Sequence, residues 1–321
     1  MQVLITGGTG FLGLSLAERL AQNGVRTMLF GLTPPPQEAL ARLTRYPGPV
    51  IALPGDIRDE ARFGSVLREY GISHIVHLAA ISAGVDRERH DAREILDVAV
   101  LGALSVLTAA QRHLVRRVVL VSSAAVFGPL AFASSPLRED GFIRPDTLPA
   151  IGKAAQEAML DRLASLSGLD SVVARLSDVF GPYEYDTGHR DALSPPWQCW
   201  EAARAGKPIL LPRPGLNDWL YAPDAALGLE TLLRAPRLAH RLYHVGPGVR
   251  WSLEDWCARL ARRYPGLAWS LTADPTAETI ALPPVGDRAP LDTSRFSGET
   301  GFRPAFDLDA AFADFVATVD R

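Results

Sequence analysis

A short apolar run followed at once by closely spaced glycines constrains the fold of this chain more than any other feature. Residues 3–5 are typical of a buried strand, and Gly7, Gly10 and Gly13 lead from it into a segment with helical periodicity. A pyrophosphate binds at a helix N-terminus only where backbone N–H groups are free and no Cβ atom blocks the approach. The order of strand, glycine turn and helix therefore predicts a dinucleotide-binding loop, although an ordinary surface turn is also rich in glycine. The predicted loop contacts are Gly7, Gly10, Phe11 and Leu12.

Length and charge narrow the class of protein. With 321 residues, 47 % of them apolar, the chain suits one large α/β domain with an appended lobe, or two domains. A net charge of −3 offers no basic face to a phosphate backbone, so nucleic acid is not expected as a partner. The sequence shows no charged leader, no signal segment and no uninterrupted apolar run of about 18 residues. We therefore expect a cytoplasmic protein without membrane association.

The residue types that commonly bind metals form no ligand pattern. Cys199 and Cys257 are too few for a disulfide framework and lie in no Cys/His motif, so we expect packed thiols. His74 and His77 are three residues apart in a strand, which places them on opposite faces. We therefore predict structural histidines and no metal ion.

Strand-like and helical segments alternate through the first half of the chain. Such alternation predicts a parallel, doubly wound sheet with helices on both faces. The strands fall within 25–30, 49–61, 74–80 and 116–128, and a long apolar helix covers 94–113.

The end of the second strand normally distinguishes the two nicotinamide cofactors. An acidic residue there accepts a hydrogen bond from a ribose 2′-OH, whereas a basic residue holds a 2′-phosphate. Gly31 and Leu32 supply neither signal, and the nearby cations Arg26, Arg42 and Arg45 lie before or well after this point. The sequence therefore leaves NAD and NADP open.

Two further strand ends complete the predicted cofactor site. Asp56, followed by Ile57, ends the third strand within reach of an adenine, although Asp56 or Asp59 is also suited to cap the next helix. The fourth strand ends in small residues across which a flat cofactor can lie. These are Leu78, Ala79 and Ala80.

The segments TGGTGFLG, GDIRD, HLAA and VSSAAVFG together resemble the extended short-chain dehydrogenase/reductase family, which contains nucleotide-sugar epimerases and dehydratases. Later segments continue the match; these are 174–182, 217–226, 243–248 and 291–296. The resemblance implies a Rossmann domain from 1–177 plus 217–246, and a smaller mixed substrate lobe from 178–216 plus 247–321. It also implies NAD or NADP as cofactor, a small-molecule substrate, and a homodimer formed through two helices.

The resemblance also assigns catalytic positions. The family's serine corresponds to Ser123, which would polarise the substrate oxygen, unless Ser122 and Ser123 merely end a strand. In the family's Tyr-x-x-x-Lys motif the lysine corresponds to Lys153, which would bind the nicotinamide ribose, but the tyrosine position holds Pro149. An asparagine expected on the preceding helix is replaced by Ala99. The chain is therefore expected to be an atypical member of the family.

The substrate side departs from the family as well. The Arg-Asp-Phe motif that holds a sugar nucleotide's pyrophosphate reads Asn217-Asp218-Trp219, and the segment 281–287 lacks the family's late arginine. Other arginines are available, although each suits a solvated surface position. They are Arg144, Arg190, Arg213, Arg250 and Arg288.

Three functions remain open. The first is an NAD(P)-dependent oxidoreductase, epimerase or dehydratase in which another group replaces the phenol: Asp178, Tyr183, Tyr185, His189, or Lys153 acting through the ribose hydroxyl. The second is a tyrosine-independent lyase, isomerase or cyclase. Its pocket would be walled by some of the tryptophans, all six of which follow residue 196 and most of which we assign to packing. The third is a non-catalytic NAD(P)-binding protein.

The loop at 180–197 is the expected rim of the pocket.

Overall fold

A seven-stranded, all-parallel sheet forms the centre of the protein. The computed structural model describes residues 1–132, 135–274, 276–282 and 286–320. Its strands are β1 Gln2–Thr6, β2 Arg26–Gly31, β3 Val50–Pro54, β4 His74–His77, β5 Arg117–Ser123, β6 Ser171–Leu176 and β10 Leu242–Val245. Their order in the sheet is β10-β6-β5-β4-β1-β2-β3. This architecture confirms the predicted doubly wound α/β fold.

Helices cover both faces of the sheet. The central strands are apolar and buried on both sides; every residue of β6, for example, is buried. The covering helices are α1 Phe11–Gln22, α2 Gln37–Leu43, α3 Glu60–Glu69, α4 Val85–Leu96, α5 Ala103–Arg112, α6 Leu148–Ser167 and α8 Ala222–Arg234. The order in which strands are added to the sheet reverses around β1, which pairs with β2 on one side and with β4 on the other. This is the switch point at which doubly wound sheets bind their ligands.

The long apolar helix differs from the expected segment at 94–113. Helical structure begins at Val85 and continues through a π-helical segment, Asp97–Gly102, into α5. By length and composition the stretch Val85–Arg112 includes a window apolar enough to cross a membrane, and 44 % of that window is buried inside the protein.

The remaining elements form a smaller mixed lobe. Its helices are α7 Pro195–Arg204, α9 Leu253–Arg263 and α11 Leu308–Val319, and its strand pairs are β7 Val179–Phe180 with β9 Leu220–Tyr221 and β8 Ile209–Leu211 with β11 Trp269–Leu271. A further helix, α10 Ser294–Thr300, packs against β10, and its Phe296 is buried in the core of the sheet domain. A 3-10 helix, Ala124–Phe132, follows β5.

Aromatic side chains build the core of this lobe. Trp251 and Trp256 stack with ring centroids 5.6 Å apart, and Phe180 and Phe315 contact Trp256 edge-on. Five of the six tryptophans are buried in this cluster and Trp269 packs against it. The expected assignment of most tryptophans to packing matches this arrangement. No tryptophan is among the described residues that line the cleft at the carboxyl ends of the sheet strands. The thiols of Cys199 and Cys257 are buried in the same core, 3.8 Å apart.

Trp256 is fully buried, so Trp256→Ala leaves a large cavity in the lobe. We expect the free energy of unfolding to fall by about 3–5 kcal/mol. Chemical denaturation followed by circular dichroism measures this change. The control Phe142→Ala removes a ring that is 91 % exposed and should change stability little. Equal effects of the two substitutions would contradict the assignment of this core.

Candidate active site

One cleft lies at the carboxyl ends of six sheet strands. Its volume is about 430 Å³, and it extends from the glycine loop after β1 to the ends of β5 and β6. Twelve of the residues predicted from the sequence line it. They are Gly7, Gly10, Phe11, Leu12, Asp56, Ile57, Leu78, Ala79, Ala80, Ser123, Lys153 and Asp178.

The glycine loop packs directly on the end of β4. Gly7 has a φ of +64°, and a Cβ atom there would lie 2.8 Å from the backbone nitrogen of Ala79. A Cβ atom at Gly13 would lie 2.6 Å from the carbonyl oxygen of Gly7. Gly10 caps α1 without a side-chain hydrogen bond, and the first turn of α1 carries no acidic residue. The helix N-terminus is therefore free to bind an anion.

The far end of the cleft lies at the ends of β2 and β3. Gly31, Leu32 and Thr33 line it, and Asp56 forms an ion pair of 2.6 Å with Arg58. Of the two aspartates considered as helix caps, Asp59 caps α3 by accepting from the Arg62 backbone N–H. Asp56 thus remains at the cleft.

The cations considered for a 2′-phosphate contact other groups. Arg26 lies over the ring of Tyr70, and Arg42 forms an ion pair with Glu18. Arg42 and Arg45 line a second cavity beside α2 and α7. None of the three belongs to the described lining of the main cleft.

The opposite end of the cleft brings the predicted reactive groups together. The Ser123 hydroxyl accepts from the Ala125 N–H over 3.1 Å. The Lys153 ammonium donates to the carbonyl of Val121 over 2.7 Å and to the Gln156 side-chain oxygen over 3.3 Å. Burial lowers the pKa of Lys153 to about 8, opposed by the charge of Glu157. Lys153 is therefore an ammonium that titrates near neutrality.

Glu157, four residues after Lys153 on α6, is paired with Arg175. Glu157 accepts two hydrogen bonds from the guanidinium of Arg175, at 2.6 and 2.8 Å, and one from the Ser122 hydroxyl. Arg175 lies on β6, and both charged groups are buried. A bidentate arginine satisfies a buried carboxylate better than a single ammonium, and this geometry leaves Lys153 to the cleft.

Asp178 follows β6 and faces the cleft beside a charged network. It accepts from the Asn217 side-chain amide, and the Arg288 guanidinium lies 3.6 Å away. Arg288 also pairs with Asp218 over 2.6 Å, and burial raises the pKa of Asp218 to about 6 despite this pairing. The expected surface position for Arg288 is wrong, because its side chain is only 10 % exposed. Within 281–287, residues 283–285 lie outside the described part of the chain.

The other residues that the sequence analysis considered for proton transfer differ in position. Tyr183 does not line the cleft; its hydroxyl donates to Glu18, and burial raises its pKa. Tyr185 lines the cleft but donates to the carbonyl of Thr9 over 2.6 Å. His189 also lines the cleft. Pro149 is in the first turn of α6, which Thr147 caps.

The rim loop passes over the glycine loop. The Arg190 guanidinium lies 5.3 Å from the centroid of the Phe11 ring and pairs with buried Glu184 over 3.2 Å. Backbone hydrogen bonds join Ser82 to His189 and Asp191. Arg190 was considered from the sequence only for a substrate pyrophosphate; its position beside the glycine loop depends on contacts across the fold.

These features fit a dinucleotide. The Cβ-free glycine loop, the bare helix N-terminus and the cleft across the switch point define an α/β enzyme that binds a nicotinamide dinucleotide. A model of the NAD dependent epimerase/dehydratase family matches residues 3–246. The chain belongs to this family, whose members are NAD-dependent enzymes. The predicted class of cofactor and the predicted family are thereby confirmed.

Characterised relatives match over nearly the full chain. The dTDP-glucose 4,6-dehydratase of Streptomyces griseus is 30 % identical over 328 residues, covering 98 % of this chain and 93 % of that protein. The UDP-glucose 4-epimerase of Mycolicibacterium smegmatis is 28 % identical over 326 residues, covering 98 % and 97 %.

Solved structures share the fold. The UDP-glucose 4-epimerase of Thermus thermophilus, in complex with NAD, has a TM-score of 0.79 and 25 % identity, covering 99 % of this chain and 98 % of that one. That of Thermotoga maritima has a TM-score of 0.82 at 20 % identity, covering 100 % and 99 %.

The glycine loop yields a matched test. Gly7 and Gly24 both have a positive φ, so alanine at either position costs roughly 1–2 kcal/mol of stability. Only at Gly7 would the new Cβ collide with backbone, because nothing lies within 4 Å of a Cβ at Gly24. We expect Gly7→Ala to weaken NAD binding at least tenfold, about 1.4 kcal/mol. Gly24→Ala should bind NAD normally in the same fluorescence titration; equal affinities of the two variants would count against this loop as the cofactor site.

Proposed function

We propose that this protein is an NAD-dependent oxidoreductase of the epimerase/dehydratase type that acts on a hydroxyl or carbonyl group of a sugar-like small molecule. The carrying observation is that Ser123, Lys153 and Asp178 line one end of the cleft whose other wall is the glycine loop. The dehydratase and epimerase relatives, which are named for sugar nucleotides, support the substrate class.

The proposed division of roles follows the contacts of each side chain. When bound, a nicotinamide would supply reversible hydride chemistry at the substrate carbon. Ser123 binds the substrate oxygen, and Lys153 binds the nicotinamide ribose. Asp178 takes the hydroxyl proton as the hydride leaves, so that a carbonyl forms with charge balanced. Asn217 and Arg288 hold the Asp178 carboxylate in place.

We propose NAD as the physiological cofactor. Arg26 and Arg42 contact other side chains, and Arg45 lines the second cavity, so none of the three is placed to bind a ribose 2′-phosphate beside Gly31. Titration with both cofactors tests this proposal: NAD should bind at least tenfold more tightly than NADP. Equal affinities would refute the preference.

The two alternative functions have weaker support. A tyrosine-independent lyase, isomerase or cyclase was expected to use a pocket walled by tryptophans. Trp197 and Trp200 line the second cavity beside α2 and α7, but no tryptophan is among the described residues that line the cleft with Ser123 and Lys153. If the protein only bound NAD without catalysis, the placement of Ser123, Lys153 and Asp178 in one cleft would serve no function.

We further propose a cytoplasmic homodimer without nucleic-acid or membrane partners. The stretches proposed to pair are 94–113 and 152–166. Apolar residues within or beside them are partly exposed: Leu101 by 52 %, Leu104 by 37 % and Ile151 by 41 %. Association through these residues would form a four-helix bundle.

Replacing Asp178 tests the proposed proton transfer. Asp178→Asn keeps the size and the polar contacts of the side chain but cannot accept the proton, so we expect kcat to fall by about 10²- to 10⁴-fold. NAD affinity should change less than twofold. Turnover is first measured with dTDP-glucose and UDP-glucose. The control is Asp86→Asn, whose side chain is 91 % exposed; full activity of Asp178→Asn would assign the proton to another group.

Arg190 is proposed to bind the cofactor diphosphate. We expect Arg190→Gln to raise the Kd of NAD about tenfold, equivalent to about 1.4 kcal/mol, and to reduce its salt dependence. Arg190→Lys should restore part of the affinity, and Arg89→Gln, an exposed control, should change nothing. Adenosine, which lacks phosphate, should bind wild type and Arg190→Gln equally. An adenosine defect as large as the NAD defect would show general damage to the cleft.

A further inference from the structure

Lysine is almost absent from this chain. Of its 33 basic residues, only Lys153 and Lys207 are lysines. Arginine remains protonated in proteins, whereas a buried lysine readily changes its pKa and can exchange a proton. The amine retained at position 153 lines the cleft. The side chains that hold this amine in place are therefore important to the site.

Gln156 connects Lys153 to the backbone of a neighbouring helix. Its side chain is fully buried, its amide nitrogen donates to the carbonyl of Ala99 over 2.8 Å, and its oxygen accepts from the Lys153 ammonium over 3.3 Å. The reverse amide orientation would bring two acceptors together at Ala99 and two donors together at Lys153. Only one orientation satisfies both partners.

The carbonyl that fixes Gln156 belongs to the π-helical segment. Such segments frequently occur at functional sites because they interrupt the regular ladder of hydrogen bonds. A Cβ atom at Gly152 would lie 2.6 Å from the Cβ of Ala99, so α6 reaches the segment only because both residues are small. This close approach brings Gln156 within hydrogen-bonding distance of the Ala99 carbonyl.

We propose that Gln156 is a positioning residue that orients the Lys153 ammonium from the π-helical segment. With the Val121 carbonyl it occupies two of the three ammonium N–H groups, and the third is left for the cleft. The inference rests on the proposed role of Lys153 at the active site. It adds a residue that sequence comparison with the Tyr-x-x-x-Lys motif does not identify.

The other titratable groups around Lys153 must be considered before the effect of substitutions at position 156 on the pKa of Lys153 is predicted. His77 on β4 interacts with Lys153 electrostatically, and burial keeps this imidazole neutral by lowering its pKa to about 3. Glu157 on α6 interacts with Lys153 as well, but it is paired with Arg175 of β6. Gln156→Glu adds a negative charge beside the ammonium and should raise its pKa. Gln156→Met removes an acceptor and should lower it.

The scarcity of lysine makes a direct measurement practical. In a Lys207→Arg background, protein labelled with isotopic lysine gives one lysine side-chain NMR signal, which is titrated in the NAD-bound protein. We expect Gln156→Glu and Gln156→Met to shift the ionisation constant of Lys153 in opposite directions, each by about threefold or more. Gln198→Glu and Gln198→Met, in the lobe, are the controls and should shift nothing.

Opposite shifts support the proposal, and shifts of the same sign or none in folded variants overturn it. If Gln156→Met fails to fold, Gln156→Asn, which is too short to span both partners, replaces it and should also lower the pKa. Turnover is measured separately. If the pKa of Lys153 shifts in opposite directions but the protein has no turnover, the proposed function fails and the positioning role stands. If the protein turns over substrate but the pKa of Lys153 does not shift, the positioning role fails and the proposed function stands.

Discussion

The close approach of the glycine loop to the end of β4 is the contact on which the site depends. Gly7 and Gly13 lie where any Cβ atom would collide with backbone at distances below 3 Å. The absence of these atoms lets α1 begin directly at the switch point of the sheet, with its N–H groups open to an anion. Larger residues at these positions would displace the helix and block the place where the cofactor diphosphate is expected to bind.

Charge around the cleft is organised by burial. Arg175 is buried and Arg288 is largely buried, and both are paired with carboxylates. Arg288 lies 3.6 Å from Asp178 as well, and Asp178 and Lys153 both line the cleft. Each pairing joins groups from different elements of the fold. Lys153 in turn depends on backbone carbonyls and Gln156. The reaction end of the cleft thus combines a polar network, which fixes the geometry, with two groups able to exchange protons.

The proposed mechanism shifts proton transfer from a helix to a strand end. The resemblance to the family assigns Pro149 to the position of the family's tyrosine, and Pro149 lies in the first turn of α6. Asp178 follows the end of β6 and lines the same cleft as Ser123. The strand ends of a parallel sheet converge on one edge, so a group on β6 can replace one on α6 without a change of fold.

The sequence alone determined the order of strand, glycine turn and helix at the start of the chain, the doubly wound sheet, and twelve of the residues that line the cleft. These features depend on local periodicity and on motifs at strand ends. The sequence did not determine which charges are buried. Glu157 is four residues from Lys153 but pairs with Arg175, and the exposure predicted for Arg288 was wrong. Nor did the sequence determine the contact partners of Gln156, Arg190 and the tryptophans. Their partners are distant in sequence, and only the packing of α6 on the π-helical segment, of the rim loop on α1 and of the lobe on itself brings them into contact.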